Sequence, residues 1–302
     1  MEFPPVLVVM PLYNAFPFVR SAIESILSQT YPNFHLLVIN DGSTDGSEQV
    51  AASFNDSRVI LWHQENQGPG AAMNRATQYA LHQKIPYLAR MDSDDISMPN
   101  RLETQILLLE KYPAAAACSA NCQYIDAESA RVIGSSTVSA SPSLIKWEIT
   151  HGLRGLIQGA SVFRSKALAE IGGYRVKFIN AEEVDIYLRL IDRNELRNCK
   201  EFLYNIRMRT ESLSISKVHQ NVLYQFYALD CAKHRHNGKQ EREFDAFIKS
   251  ISCHTKSQIM REEFQLKLWR NHLRTNHSSP LFFAALLDPR RVVVRWLRKF
   301  VE

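Results

Sequence analysis

Four times in its first 112 residues the chain passes through the same unit: a short apolar run, a polar loop, then an amphipathic segment. The runs are Val6–Met10, His35–Asn40, Val59–His63 and Tyr87–Met91. Continuous apolar runs of this length are strands buried on both faces, as in a parallel sheet. Helical spacing follows each one: Val19, Ile23, Ile26 and Leu27 after the first, a segment over 48–54 after the second, one ending near residue 83 after the third, and Leu102, Ile106 and Leu109 within 100–112 after the fourth. Repetition of strand, loop and helix predicts an α/β sheet wound with helices. In such a sheet every loop that leaves a strand lies at the same carboxyl-terminal edge. The polar residues Asn14, Asp41, Asn66, Gly68 and Asp92–Asp95 are therefore expected to converge on one crevice, the place where open α/β sheets bind ligands.

The fourth loop is the most charged. Asp92, Asp94 and Asp95 fall within four positions, and Pro99 opens the next helix. Carboxylates so close repel one another unless a cation or hydrogen-bond donors compensate. A hard divalent ion held by one or two carboxylates plus ligand phosphates would do so. A solvated turn capping the next helix would satisfy the same residues, and a lone D-x-D does not choose between them.

Beyond residue 113 the pattern changes. Residues 114–124 and 132–136 pair as antiparallel strands around a turn at 126–130, 143–150 and 165–171 are helical, and Gly172-Gly173 closes the second of these helices. A helix over 181–192 opens with Glu182 and Glu183, with Asp185 two positions on, and 203–209 is the last strand. Residues 216–236, 240–260 and 262–274 read as helices, so a catalytic-type domain over 1–215 is followed by a helical region over 216–302. The final stretch sets Val293, Trp296, Leu297, Phe300 and Val301 on one helical face and Arg291, Arg295, Arg298 and Lys299 on the other. That pattern suits an anionic membrane surface, and equally a terminal helix packed on the domain.

A net charge of +5 on 302 residues gives no argument for nucleic acid. Five cysteines without a C-x-x-C pair fit reduced thiols. Neither a signal-peptide pattern nor an apolar run long enough to span a bilayer is present, so the expected location is cytoplasmic. The first loop, Pro11 to Ala15, lacks G-x-G-x-x-G and so excludes a dinucleotide-binding dehydrogenase. It also lacks the Gly-rich basic loop of a sugar nucleotidylyltransferase. Cys231-x-x-His234-x-His236 has no fourth ligand nearby, and zinc is not expected there.

Seven segments in order carry a family resemblance: V-V-M-P-L-Y-N (8–14), N-D-G-S-T-D-G-S (40–47), N-Q-G-P-G-A-A-M-N (66–74), M-D-S-D-D-I-S-M-P-N-R-L (91–102), G-A-S-V-F-R (159–164), G-G-Y (172–174) and E-E-V-D-I-Y-L-R-L (182–190). Over about residues 6–215 the chain resembles the family 2 glycosyltransferases, inverting enzymes of the GT-A fold. The resemblance implies a mainly parallel mixed sheet with a helical C-terminal appendage. It also implies transfer of a sugar from a nucleotide diphosphate, most simply a UDP-sugar, to a hydroxyl of a glycan or lipid-linked acceptor in surface polysaccharide synthesis. Asp41 would accept hydrogen bonds from the base, with Pro11, Tyr13 and Asn14 shaping its pocket. Asn66, Gly68 and Asn74 would line the base and ribose side. Asp92, with Ser93 beside it, would contact ribose or the donor sugar, and Asp94 would ligate Mn²⁺ or Mg²⁺. Asp95 would be structural, as a cap for the following helix. Arg101 is given no role, since a surface helix residue is an alternative reading of it, and Arg207 and Arg209 either reach the diphosphate or are exposed sheet residues. Trp147 and His151 are either acceptor contacts or, for the tryptophan, core.

The chemistry asks for a base that takes the proton of the attacking hydroxyl. In the family that base is usually the Asp of an E-D pair at a helix start; here the pair is Glu182-Glu183. Glu183 takes the base position with one extra methylene, and Asp185 is the weaker candidate. The same departure motivates the alternative, an impaired nucleotide-sugar-binding protein.

Overall fold

The computed structural model of the chain describes residues 3–128, 131–153, 155–208 and 218–275. Strand β1 (Val6–Leu12) lies between β2 (Phe34–Asn40) and β4 (Tyr87–Arg90), and β3 (Val59–His63) lies outside β2; all four are parallel. Helices α1 (Val19–Leu27), α2 (Ser47–Ala52) and α3 (Pro69–His82) make the crossovers between them. Side chains of β1 alternate between the two faces. Val6, Val8 and Met10 enter the core that holds Val19, Ile23 and Ile26 of α1, and Leu7 and Val9 enter the one that holds Met73 and Ala76 of α3. A strand buried on both faces needs apolar residues at every position, which is why the runs show no alternation.

The parallel half is extended by strands of mixed direction. β8 (Val162–Arg164) runs antiparallel to β4 and to β6 (Ala115–Ile125), and β6 runs parallel to β9 (Glu195–Arg207). The short β5 (Ile96–Ser97) closes the order β3-β2-β1-β4-β8-β6-β9-β5, with β7 (Val132–Ser136) paired antiparallel to β6. This is the expected mainly parallel mixed sheet. Helices α4 (Arg101–Lys111), α5 (Pro142–Thr150), α6 (Ser165–Glu170) and α7 (Glu182–Leu190) pack around it.

Three boundaries differ from expectation. β1 continues through Pro11 to Leu12. Its β4 partner ends opposite Val9, so the missing N–H of Pro11 falls where no ladder bond is required. β9 starts at Glu195 rather than near 203, because its pairing with β6 shifts register three times and so hides the two-residue period. After α8 (Val218–His236), the segment expected to be helical over 240–260 divides into α9 (Phe244–Ser250) and α10 (Cys253–Thr275), with Ile251 extended between them. The basic amphipathic segment 291–301 lies outside the described residues, and no described helix is long and apolar enough to cross a membrane.

Helices α8 and α9 extend the core that holds α3 and α7, through Tyr224, Tyr227, Cys231 and Phe247. Phe178, from the loop before α7, stacks on Tyr227 at 5.1 Å. Glu241 then links the two parts electrostatically: Arg175 lies at 2.6 Å, Arg235 at 2.7 Å and Lys177 at 3.0 Å. Burial raises the Glu241 carboxyl, but hydrogen bonds from Arg235 and Lys177 and the Arg175 charge overcome it and hold its pKa at about 2. The folded value lies below the unfolded one, so this stabilisation is complete above pH ~4.5 and is lost as the pH falls through about 2. Glu241→Gln is expected to cost about 2 kcal/mol at pH 7, since the solvent that still reaches this side chain screens part of the interaction, and about half of that at pH 3. Denaturant unfolding at the two pH values measures the difference.

Candidate active site

The loops at the carboxyl ends of β1, β2 and β3 are stitched to one another. Asn14 takes the left-handed conformation (φ 47°) that asparagine tolerates. Its N–H donates to Ser43 Oγ at 3.2 Å, and its Oδ1 accepts Thr44 N–H at 2.9 Å. Asp41, 3% exposed, accepts from Gln64 Nε2 at 2.8 Å, Gln67 N–H at 2.9 Å and Gly68 N–H at 2.8 Å. A carboxylate has about four acceptor sites, and these three bonds fill most of them. Gly42 (φ 77°) backs onto Asn66, whose side chain is exposed. Tyr13 is exposed at the rim and Pro11 is half-buried. Asn74 points away from these loops: its Nδ2 donates to Tyr174 O and its Oδ1 accepts Tyr174 N–H, both at 2.7 Å. It clamps α3 to the Gly172–Tyr174 turn, where a Cβ on Gly173 would stand 2.4 Å from Asn74 Oδ1.

The fourth loop holds the acids. Asp92 keeps a third of its side chain exposed, pairs with Arg90 Nε at 3.0 Å, and donates its N–H to Tyr204 Oη at 3.0 Å. A Cβ on Gly159 would lie 2.6 Å from that hydroxyl and 2.8 Å from Asp92 Oδ2, so glycine is required beside the loop. Ser93 is buried and Asp94 half-buried. Asp95 does not cap α4, whose N-cap is Asn100; its Oδ1 instead accepts the Arg207 N–H at 2.9 Å. Burial raises the Asp95 carboxyl, and the Asp94 and Asp92 charges push it further, well above the ordinary carboxylate range.

Two arginines depart from their expected places. Arg207 is buried rather than exposed, and it works from behind the acids: Nε donates to Asp94 O at 2.7 Å, Nη1 to Ala127 O at 2.6 Å, and the guanidinium covers Phe18. Arg101 is 0% exposed, not a surface residue. Its Nη2 donates to Arg90 O at 2.6 Å, its Nε donates to Gln105, and its guanidinium lies over Tyr204, so it satisfies a carbonyl at the end of β4. Arg209 lies outside the described residues.

Helix α7 begins after Ala181, which holds a left-handed backbone (φ 52°). Glu182 Oε1 accepts Gln158 Nε2 at 3.0 Å and lies 3.6 Å from Arg90 Nη1. Glu183 is half-buried. Burial pushes the Tyr174 hydroxyl up to about 12, with Arg90 pulling it down and Glu182 and Glu183 pushing it up, so all these groups share one field. Asp185 is enclosed: it is 1% exposed and pairs with Arg175 and, at 2.7 Å, with Arg189. An acid so covered cannot meet an acceptor hydroxyl. Trp147 is half-exposed rather than core and stacks on the exposed His151 at 4.4 Å.

Among the described residues no three His, Cys, Asp or Glu side chains form a ready metal cage. Mg²⁺ and Mn²⁺ take oxygen ligands, and one or two carboxylates with waters and phosphates complete their shell. The carboxylates of Asp92 and Asp94, both partly open to solvent, form an all-oxygen donor set of the kind such an ion takes. Arg90 and Gln158 were not anticipated. The available signal was a charged residue inside a buried strand, which needs a partner.

A family model described as "Glycosyl transferase family 2" matches residues 7–172. The chain is 30% identical over 214 residues to the putative glycosyltransferase EpsE of Bacillus subtilis, covering 68% of this chain and 73% of that one. It is 40% identical over 105 residues to the Escherichia coli UDP-Glc:alpha-D-GlcNAc-diphosphoundecaprenol beta-1,3-glucosyltransferase WfgD, covering 34% of this chain and 40% of that one. It spans about a third of the length of several Rickettsia glycosyltransferases that it also matches. Two solved structures share the fold at 15% identity. The mannosyltransferase PcManGT from Pyrobaculum calidifontis, in complex with GDP-Man and Mn²⁺, has a TM-score of 0.59 over 98% of this chain and 84% of that one. Staphylococcus aureus TarS 1-349, in complex with UDP-GlcNAc, has a TM-score of 0.57 over 88% and 81%.

Proposed function

This chain belongs to glycosyl transferase family 2, and from that premise we propose that it moves a sugar, with inversion, from a UDP-sugar to a hydroxyl of a glycan or lipid-linked acceptor. The observation that carries the reading is the set of four loops at one sheet edge, joined through Arg90 to an acid pair at the start of a helix. The last acceptor site of Asp41 and the backbone of Asn66–Gly68 serve the base, with Pro11, Tyr13 and Asn14 at the rim. Asp92 and Ser93 face the sugar, and Asp94 is the metal ligand. Asn74, Asp95 and Arg207 hold these residues in place. A bound Mn²⁺ or Mg²⁺ supplies positive charge against the leaving diphosphate.

Glu183 is the base. Its carboxylate takes the acceptor hydroxyl proton as that oxygen attacks the anomeric carbon from the face opposite the diphosphate, and the bond to the diphosphate breaks. One displacement inverts the centre. The nucleotide-sugar complexes of the two structural relatives and the UDP-Glc of the E. coli relative support a nucleotide-sugar donor, and one of them a divalent ion. Place and pathway complete the proposal: polysaccharide synthesis at the inner face of the cell membrane, with the basic segment 291–299 on anionic lipid. Truncation before 289 then reduces sedimentation with anionic vesicles, and unchanged partitioning would remove the membrane contact.

The central test is thermal stability with UDP, GDP, CDP and dTDP, each with and without Mn²⁺. A ligand present at 100 times its Kd adds about 2.7 kcal/mol. UDP with Mn²⁺ is expected to give the largest shift. No shift with any of the four would end the donor reading.

A further inference from the structure

Arg90 is the one charged side chain of a strand otherwise apolar and buried, and no step of the proposed reaction uses it. Its side chain is 6% exposed, and a guanidinium so enclosed persists only where acids compensate it. Two acids do so. Nε donates to Asp92 Oδ1 at 3.0 Å, and Nη1 stands 3.6 Å from Glu182 Oε1. The acids belong to opposite halves of the site: Asp92 to the donor loop after β4, and Glu182 to the first turn of α7, next to Glu183.

The two ends of this bridge differ in kind. The Asp92 contact is a hydrogen bond, whereas Nη1 has no hydrogen-bond partner and meets Glu182 only as an ion pair. A movement of less than ~1 Å would bring that contact into hydrogen-bond range. The strand beneath does not yield, because Arg90 N–H donates to Ser161 O and Arg90 O accepts from Arg101. The two acids lie outside the strand, on the loop after β4 and on α7. The start of α7 is poised to respond, since Ala181 holds a left-handed backbone that costs about 1 kcal/mol or more and lasts only while neighbouring contacts maintain it. Gln158 and Arg90 make such contacts on Glu182.

We propose that Arg90 is a positioning residue that makes the setting of the Glu182–Glu183 pair depend on donor binding at Asp92. When a donor engages Asp92, the guanidinium is released toward Glu182, closes the 3.6 Å gap and fixes the first turn of α7. Proton transfer is thereby favoured only with donor in place. The inference rests on the donor reading above, and the test separates the two.

Amide hydrogen exchange is followed by mass spectrometry with and without saturating UDP and Mn²⁺, and in parallel with GDP and Mn²⁺. In the wild type, nucleotide slows exchange across 91–95 and, at least about fivefold, across 181–186. In Arg90→Met and in Glu182→Gln, protection of 91–95 persists and that of 181–186 disappears. The second variant alters a partly exposed end of the bridge, so the test does not depend on Arg90→Met folding. Arg90→Lys, a point charge that reaches only one acid, restores the melting temperature toward wild type without restoring the linkage. Wild-type protection of 181–186 in Glu182→Gln, or its absence in the wild type while 91–95 is protected, overturns the proposal. Protection of neither stretch by either nucleotide overturns the donor reading and this inference with it.

Discussion

Glu183→Gln is expected to lower turnover by about 10³-fold while leaving the affinity for UDP and Mn²⁺ within about threefold of wild type. The amide keeps the volume and much of the hydrogen-bonding shape of the carboxylate but cannot accept the acceptor's proton. Glu183 belongs to α7, whereas the residues proposed to hold the donor belong to the loops after β1–β4, so the proposal predicts that nucleotide binding does not require its charge. Steady-state transfer with UDP-glucose or UDP-GlcNAc, alongside calorimetric UDP binding, reads the two quantities separately. An impaired protein gives the opposite outcome: wild type and Glu183→Gln bind UDP alike, and neither turns over any nucleotide sugar in the presence of Mn²⁺.

Asp185→Ala is expected to destabilise the protein by about 3–5 kcal/mol, because it leaves buried positive charge without its partner. Asp185 is 1% exposed and serves Arg175 and Arg189 together. Arg189 in turn donates to the carbonyls of Ile171 and Gly173, so the network ties α7 to the turn that Asn74 clamps. A loss of this size lowers the melting temperature by on the order of 10 °C in a domain of this length. The same measurement separates Asp185 from Glu183 as candidate base. Were Asp185 the base, its alanine variant would melt near wild type and fail only in turnover.

The four apolar runs were recognisable because a strand buried on both faces has no polar position, and their loops could be assigned to one edge because parallel strands with helical crossovers all leave the sheet on the same side. The Asp92–Asp95 cluster and the Glu182–Glu183 pair were visible as acids at element ends. β9 was half missed, since its register shifts against β6 erase the alternation that would have marked residues 195–202. The break at Ile251 was missed because extended backbone at one residue leaves little trace in a helical period.

The amino-acid sequence by itself determined the wound sheet, the edge at which its polar loops meet, and which acids stand there, since strand and helix periods and loop polarity are set by residues within a few positions of one another. Only the tertiary structure decided what each polar side chain does. Asp41 braces the third loop, and Asn74 clamps Tyr174, 100 residues away. Arg207 holds the backbone of Asp94 across 113 residues, and Arg101 turns inward to a carbonyl. Arg90 stands between Asp92 and the acid pair. The physical reason is that a buried charge takes its partner from whatever the fold brings within about 3–4 Å, and spacing along the chain specifies a face but not the group that meets it.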